Sequence, residues 1–179
     1  MSRTERKQAA GTPGRGGAAA GAAVLRDDVR PSDVAAVRDL VAATGFFSAE
    51  EVGIAAELVQ EHLEKGAASG YEFLFAEVDG RVVGYTCYGL IPCSTVSWDV
   101  YWIAVDPDQQ GSGLGRRLMA KTEDRARARG GVTVFAETSG RAQYEPTRGF
   151  YHRCGYHEAA LLEDFYAVGD AKVIFARRL

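Results

Sequence analysis

The sequence predicts an α/β protein with seven strands and four helices. Three observations carry this. Apolar residues recur at helical spacing in four segments, β-branched and aromatic residues crowd seven short runs, and an Asp-Gly pair joins two of those runs as a tight turn would. The resulting order is strand, two helices, three strands, helix, strand, helix, two strands. A chain of 179 residues suits a single folded unit, and no internal repeat divides it.

Taken in order, residues 1–23 are rich in Gly, Ala and Arg without a periodic apolar face, so a disordered tail is expected there. Arg3, Arg6 and Lys7 precede an Ala/Gly stretch, but Thr12, Pro13 and Arg15 interrupt it, and Gly and Ala are too weakly apolar for a secretion-signal core. A single domain is expected over 24–179. Val24–Arg30 reads as the first strand. Pro31 and Ser32 open a helix on Val34, Val37, Leu40 and Val41, which Gly45 ends. Ser48 followed by Glu51 forms a capping box, because hydroxyl and carboxylate satisfy amides that a helix start leaves free. The helix after it reaches about Gly66. Tyr71–Val78 and Arg81–Leu90 flank Asp79-Gly80, a pair that tolerates the positive φ angles of a hairpin turn. Val96–Val105 is the next strand. A glycine-rich loop, a helix over 114–129, a strand over Val132–Thr138, a short helix over Pro146–Cys154 and strands near Tyr156–Phe165 and Lys172–Arg178 complete the chain.

Composition excludes several classes. No apolar run approaches the roughly 18 residues that span a bilayer, so no membrane association is expected. Three cysteines without paired short spacing give neither a disulfide framework nor a zinc site, and a reducing, cytoplasmic setting follows. His62, His152 and His157 have no carboxylate or Cys at ligand spacing, so no metal is expected. The net charge of −3 conceals +3 in residues 1–23 and −6 in the remainder. An acidic domain is a poor match for nucleic acid and a better one for a cationic amine.

The most informative stretch runs from Trp102-Ile103-Ala104-Val105-Asp106-Pro107 through Gln110-Gly111-Ser112-Gly113-Leu114-Gly115-Arg116-Arg117. A strand enters a turn, passes three alternate glycines and opens a helix. Unpaired N–H groups and the positive end of the helix dipole make such a place an anion site, suited to phosphate or pyrophosphate. A P-loop requires Gly-Lys-Ser/Thr at its end, and Arg116 and Arg117 follow Gly115 here. The dinucleotide fingerprint requires a third glycine where Arg116 stands, after the first strand of a βαβ unit. Both fail on position.

Gln110, Gly113 and Gly115, following a strand that ends Ile-Ala-Val-Asp-Pro, resemble the coenzyme A loop of the GNAT N-acetyltransferase superfamily. About 35 residues on, Phe150-Tyr151-His152-Arg153-Cys154-Gly155-Tyr156 resembles that family's aromatic-Tyr-x-x-x-Gly-aromatic segment. The resemblance spans about residues 24–179. It implies the GNAT fold, a mixed, mostly antiparallel seven-stranded sheet flanked by about four helices. It also implies acetyl-CoA as co-substrate and acyl transfer to the amine of a small molecule or peptide through a ternary complex.

The resemblance assigns roles residue by residue. Gly111, Ser112, Gly113, Leu114, Gly115 and Arg116 would hold the pyrophosphate, with Gln110 at the loop's start, and the Arg116 and Arg117 side chains would add charge or stay solvated. Backbone groups of Ile103, Ala104 and Val105 would receive the acetyl carbonyl and pantetheine arm, with a bulge there aiming an N–H at the oxyanion. Tyr151 matches the tyrosine that protonates the departing thiolate; Tyr144 is the alternative, and Phe150 could take over the core packing. Asp99 aligns with a catalytic glutamate of the histone-acetylating branch, and Glu137, at the end of the next strand, is the second candidate base. By simple alternation Asp99, Tyr101, Ile103 and Val105 share one strand face. His152 is a candidate for tuning the site.

Substrate choice would rest on 44–48 and 161–166. There Phe46, Phe47, Phe165 and Tyr166 are candidates for pocket wall, core or a homodimer contact. The stretch 137–148 lacks the Asn the family often carries after this strand, and Arg141 and Arg148 are candidates to bind a substrate carboxylate. A non-catalytic coenzyme A-binding module on the same fold is the alternative reading.

Overall fold

The structure, a computed structural model, describes residues 22–179. The expected disordered tail therefore lies, up to residue 21, outside the described residues. Seven strands form one sheet: β1 (Val24–Arg26), β2 (Glu72–Val78), β3 (Arg81–Leu90), β4 (Ser97–Val105), β5 (Thr133–Ser139), β6 (His157–Ala167) and β7 (Asp170–Arg178). Four α-helices accompany them: α1 (Asp33–Thr44), α2 (Ala49–Lys65), α3 (Leu114–Ala128) and α4 (Glu145–Arg153). The strand order is β1-β2-β3-β4-β5-β7-β6, antiparallel throughout except for the parallel pair β4–β5. This is the mixed, mostly antiparallel sheet expected.

Local signals explain most boundaries. The Ser48 side chain accepts the Glu51 N–H, and the Glu51 carboxylate accepts the Ser48 N–H, which starts α2. Asp79 and Gly80 turn the β2–β3 hairpin at φ values of 50° and 76°. The first strand is shorter than expected. Arg26 lies over the Phe75 ring and pairs with both Asp33 and Glu77, which forces the chain to leave the sheet and turn into α1. Asp33 also accepts the Arg30 N–H at 2.8 Å, fixing that entry.

The sheet buries both faces. Against α1 and α2 it packs Phe73, Phe75, Tyr85, Cys87 and Ala104 on Val37, Val41, Ala55 and Val59. Against α3 and α4 it packs Leu74, Val83, Trp98, Val100 and Val134 on Leu118, Met119 and Tyr151. Strand β6 is an edge and is exposed along its whole length, with Phe165 at 51% and Tyr166 at 49%.

Two departures from a regular sheet position the site. In β4, Val100 pairs with Tyr88 and Trp102 with Cys87, so Tyr101 is an extra residue, a bulge. The bulge re-aims everything beyond it. Asp99 and Tyr101 line the α1/α2 side, whereas Ile103 and Val105 pack with the α3/α4 core. The expectation that Asp99, Tyr101, Ile103 and Val105 share a face is thus corrected: the extra residue flips the alternation between Tyr101 and Ile103. The second departure is that β4 pairs with β5 only from Ser97 to Val100, opposite Thr133 to Ala136. Beyond Val100 the two strands part, while β5 continues to Ser139 on β7.

Candidate active site

The gap between β4 and β5 has two sides. On one is the turn into α3. Gly111 and Gly113 adopt φ values of 74° and 85°, in the left-handed region that glycine occupies freely, and nothing lies near where their Cβ atoms would be. The first intrahelical bond runs from Arg117 N–H to the Gly113 carbonyl. The Leu114 amide donates to the Ser112 hydroxyl at 3.4 Å, those of Gly115 and Arg116 have no helical acceptor, and no acidic residue occupies the first turn. The parts fit a phosphate-bearing ligand. Gln110 donates to the Val105 carbonyl at 3.2 Å and Ser112 to the Gln109 carbonyl at 2.6 Å, which hold the loop in shape. Gly115 serves packing: a Cβ there would lie 3.1 Å from Phe150 of α4. Leu114 contributes its amide to the helix end and its side chain to the core. Arg116 is exposed, whereas Arg117 donates to the Ala23 carbonyl at 3.0 Å and so faces the start of the described chain.

The backbone of β4 lines the gap. Asp106 N–H bonds to the Val83 carbonyl at 2.9 Å, and strand alternation then directs Ala104 toward Tyr85 of β3. Ile103 and Val105 point their N–H and C=O groups the other way, toward the space β5 has left. Of the three backbone positions expected to meet a ligand, Ile103 and the N–H of Val105 face that space, the Val105 carbonyl accepts from Gln110, and Ala104 is engaged with the sheet. The bulge lies at Tyr101, two residues before the place the resemblance implied.

The other side of the gap is a cleft of about 300 Å³. Asp99 and Glu137 face it, walled by Tyr71, Tyr101 and Trp102 and by Ile54 and Leu58 from α2. Tyr71 and Tyr101 meet edge to face with centroids 5.4 Å apart, and Trp102 packs on Phe47 at 4.9 Å. Asp99 Oδ1 is buried without a hydrogen-bond partner. Burial, with the nearby Glu137 charge, pushes the Asp99 carboxyl up to about 6, against the pull of the Val100 amide and Lys172. Glu137 is in a different state. It is partly exposed and pairs with Lys172 at 2.5 Å. Lys172 in turn lies 3.9 Å from the centre of the Phe165 ring and 5.7 Å from that of Tyr166.

Tyr151 enters from α4. Its ring is buried among Phe150, Tyr156 and Phe175. Burial foremost, then the Asp99 charge, raises its hydroxyl well above the usual phenol range, so it stays protonated and keeps its proton to donate. Its ring packs in the core as Phe150 was expected to, and both aromatics share that role. Glu123, buried inside α3, pairs with Arg177 at 2.9 Å and ties the helix of the glycine loop to β7.

The remaining candidates fall elsewhere. Arg148 donates to the Ser139 and Arg141 carbonyls at 3.0 Å each, and Arg141 pairs with Asp170 at 3.0 Å. Both guanidinium groups hold their own loop rather than face the cleft. Tyr144 reaches toward the Phe46 carbonyl, at 3.4 Å, across the mouth of the gap. His152 lies exposed beside Glu158 at 3.4 Å, His62 bonds to the Tyr71 carbonyl, and His157 is on the exposed β6 edge. Among the described residues no group of His, Cys, Asp or Glu could hold a metal ion. A larger hollow of about 630 Å³ lies between α1 and the β2–β3 turn. Of its charged lining, Asp33 pairs with Arg26, Glu77 with Arg26 and Arg30, and Arg81 with Asp106. Sequence reasoning missed Lys172, the place of the bulge and the walls of Tyr71, Tyr101 and Trp102, all of which depend on register rather than on local motif.

Comparison with known proteins bears on this geometry. The family model described as Acetyltransferase (GNAT) family matches residues 34–156. The alanine N-acetyltransferase of ribosomal protein bS18 from Escherichia coli is 36% identical over 70 residues, 39% of this chain and 46% of that protein. The N-alpha-acetyltransferase RimI of Mycobacterium tuberculosis is 32% identical over 107 residues, 59% of this chain and 65% of that protein. The chain thus spans about half to two thirds of the length of these relatives. A crystal structure of a protein assigned to the GNAT family from Desulfovibrio desulfuricans is 48% identical, with a TM-score of 0.87 over 88% of this chain and 99% of that one.

Proposed function

Since the chain belongs to the GNAT acetyltransferase family, we propose that it transfers an acetyl group from acetyl-CoA to a primary amine by direct attack in a ternary complex. The observation that carries the reading is the parted β4–β5 pair, with the free amides of Gly115 and Arg116 on one side and the unpartnered Oδ1 of Asp99 on the other. Gly111 to Arg116 hold the pyrophosphate on the amides and dipole of α3, and the cleft-facing N–H groups of Ile103 and Val105 receive the pantetheine arm and the thioester oxygen.

The amine enters as an ammonium ion, drawn by Asp99 and Glu137. An amine with a pKa near 10.4 does not give its proton fully to a carboxylate near 6. One proton passes from the ammonium ion to Asp99, which frees the lone pair. The nitrogen then attacks the thioester carbon, and forming the N–C bond makes it acidic enough to lose its second proton to solvent. The C–S bond then breaks and sulfur takes the Tyr151 proton. Products are the amide and the free thiol, and solvent restores both side chains. Asp99 is the base, and Glu137, paired with Lys172, supplies field rather than proton transfer. The two buried, unpaired thiols Cys87 and Cys154 support a cytoplasmic setting for this activity. Among the described residues no helix is long and apolar enough to cross a membrane.

Thermal unfolding with acetyl-CoA, NAD and ATP in parallel tests the donor. At about 100 times its dissociation constant a ligand adds roughly 2.7 kcal/mol to the native state. Stabilisation by acetyl-CoA alone, followed by thiol release on addition of amines, is expected. Stabilisation by NAD or ATP instead contradicts the proposal, and acetyl-CoA binding without turnover on any amine supports a non-catalytic module.

A further inference from the structure

Resting on the acetyl-transfer reading above, we infer that the acceptor is a small primary amine on an apolar body whose neighbouring carbon carries no carboxylate. Two acids face the cleft and one cation serves it. Lys172 is held 2.5 Å from Glu137 and lies against Phe165, so its charge is already matched by one carboxylate. Asp99 stays unmatched, with Oδ1 buried and unpartnered, and the site carries a net negative charge. A carboxylate one carbon from the reacting nitrogen is brought within a few ångströms of Asp99, in a place where burial weakens screening.

The guanidinium groups that a carboxylate would need are engaged elsewhere. Arg141 is fixed on Asp170, and Arg148 donates to two loop carbonyls. The walls offer instead what an apolar body needs: the side chains of Ile54, Leu58, Tyr71 and Trp102. A volume of about 300 Å³ accommodates one ring or branched alkyl group. Two sources share this chemistry, a free alkyl or arylalkyl amine and a chain end whose α-carbon bears an amide.

Two matched series separate these cases: phenylalanine, phenylalaninamide and phenethylamine, and leucine, leucinamide and 3-methylbutylamine. kcat/KM is measured for each with acetyl-CoA. The expected result is that amide and amine each exceed the free amino acid by about tenfold or more in at least one series. The Lys172→Met variant, which removes the cation paired with Glu137, widens that gap. A preferred amine marks a small-molecule acceptor, and a preferred amide marks a peptide end; either supports the carboxylate rule. Free amino acids used as well as or better than their partners overturn the inference and leave acetyl transfer standing. No transfer to any of the six while acetyl-CoA still stabilises the fold also overturns it. Loss of acetyl-CoA binding itself overturns the reading beneath.

Discussion

The two sides of the β4–β5 gap are built from different materials. The side formed by the α3 turn is backbone: unpaired amides and glycines in left-handed conformations. The facing side is side chain: Asp99, Glu137 and Lys172, converging from β4, β5 and β7. Backbone sites suit a ligand part that never changes, such as a pyrophosphate. Side-chain sites can be altered without disturbing the fold, which suits the half of a reaction that differs among relatives.

The division is most sharply broken at Asp99. Asp99→Asn is expected to lower turnover by about 10²–10⁴ while acetyl-CoA binding, measured by thermal shift, persists. The same change is expected to raise stability at neutral pH by about 1–2 kcal/mol. Because the folded-state carboxyl is raised to about 6, its stabilising contribution is complete at low pH and lost as pH rises through that value. A variant that is inactive and more stable identifies a group kept for chemistry.

Tyr151→Phe is expected to lower turnover by about 10², the low end of general acid catalysis, with KM for acetyl-CoA little changed. The ring packing on Phe175 and Tyr156 remains, so the unfolding temperature should hold. On the backbone side, Gly113→Ala places a methyl at a φ of 85° with no steric neighbour. Strain alone is expected to cost about 1 kcal/mol, lower the unfolding temperature by roughly 2–4 °C and weaken acetyl-CoA binding, with the turnover of the saturated enzyme much less affected.

Legibility in the sequence follows the same line. The capping box of Ser48 and Glu51, the Asp79-Gly80 turn and the loop from Gln110 to Gly115 are local, and each is read from residues a few positions apart. Asp99 and Tyr151 were singled out by resemblance and Glu137 by its place at a strand end; the fold brings Asp99 and Glu137 to one cleft and buries the Tyr151 ring in the α3/α4 core. What stayed hidden is set by pairing across the sheet. The bulge at Tyr101 exists only in the register of β4 against β3, and it reversed the faces of Ile103 and Val105. Lys172 reaches Glu137 because β7 lies beside β5, although 35 positions separate them in the chain. Arg26 shortened β1 through an ion pair with Asp33 that no strand propensity anticipates. Arg141 and Arg148 looked free for a substrate and are instead the struts of their own loop.

The most direct test of the account is kcat/KM for an amine acceptor against pH, in the wild type and in Glu137→Gln. If the ammonium ion binds and ionised Asp99 takes its proton, the rate rises with pH, bends near about 6 and stays level toward the pKa of the amine. Removing the Glu137 charge relieves a like-charge repulsion and moves the bend to lower pH. A rate that climbs without a bend toward the pKa of the amine, unchanged by Glu137→Gln, contradicts the account: the neutral amine would then be reacting without help from Asp99.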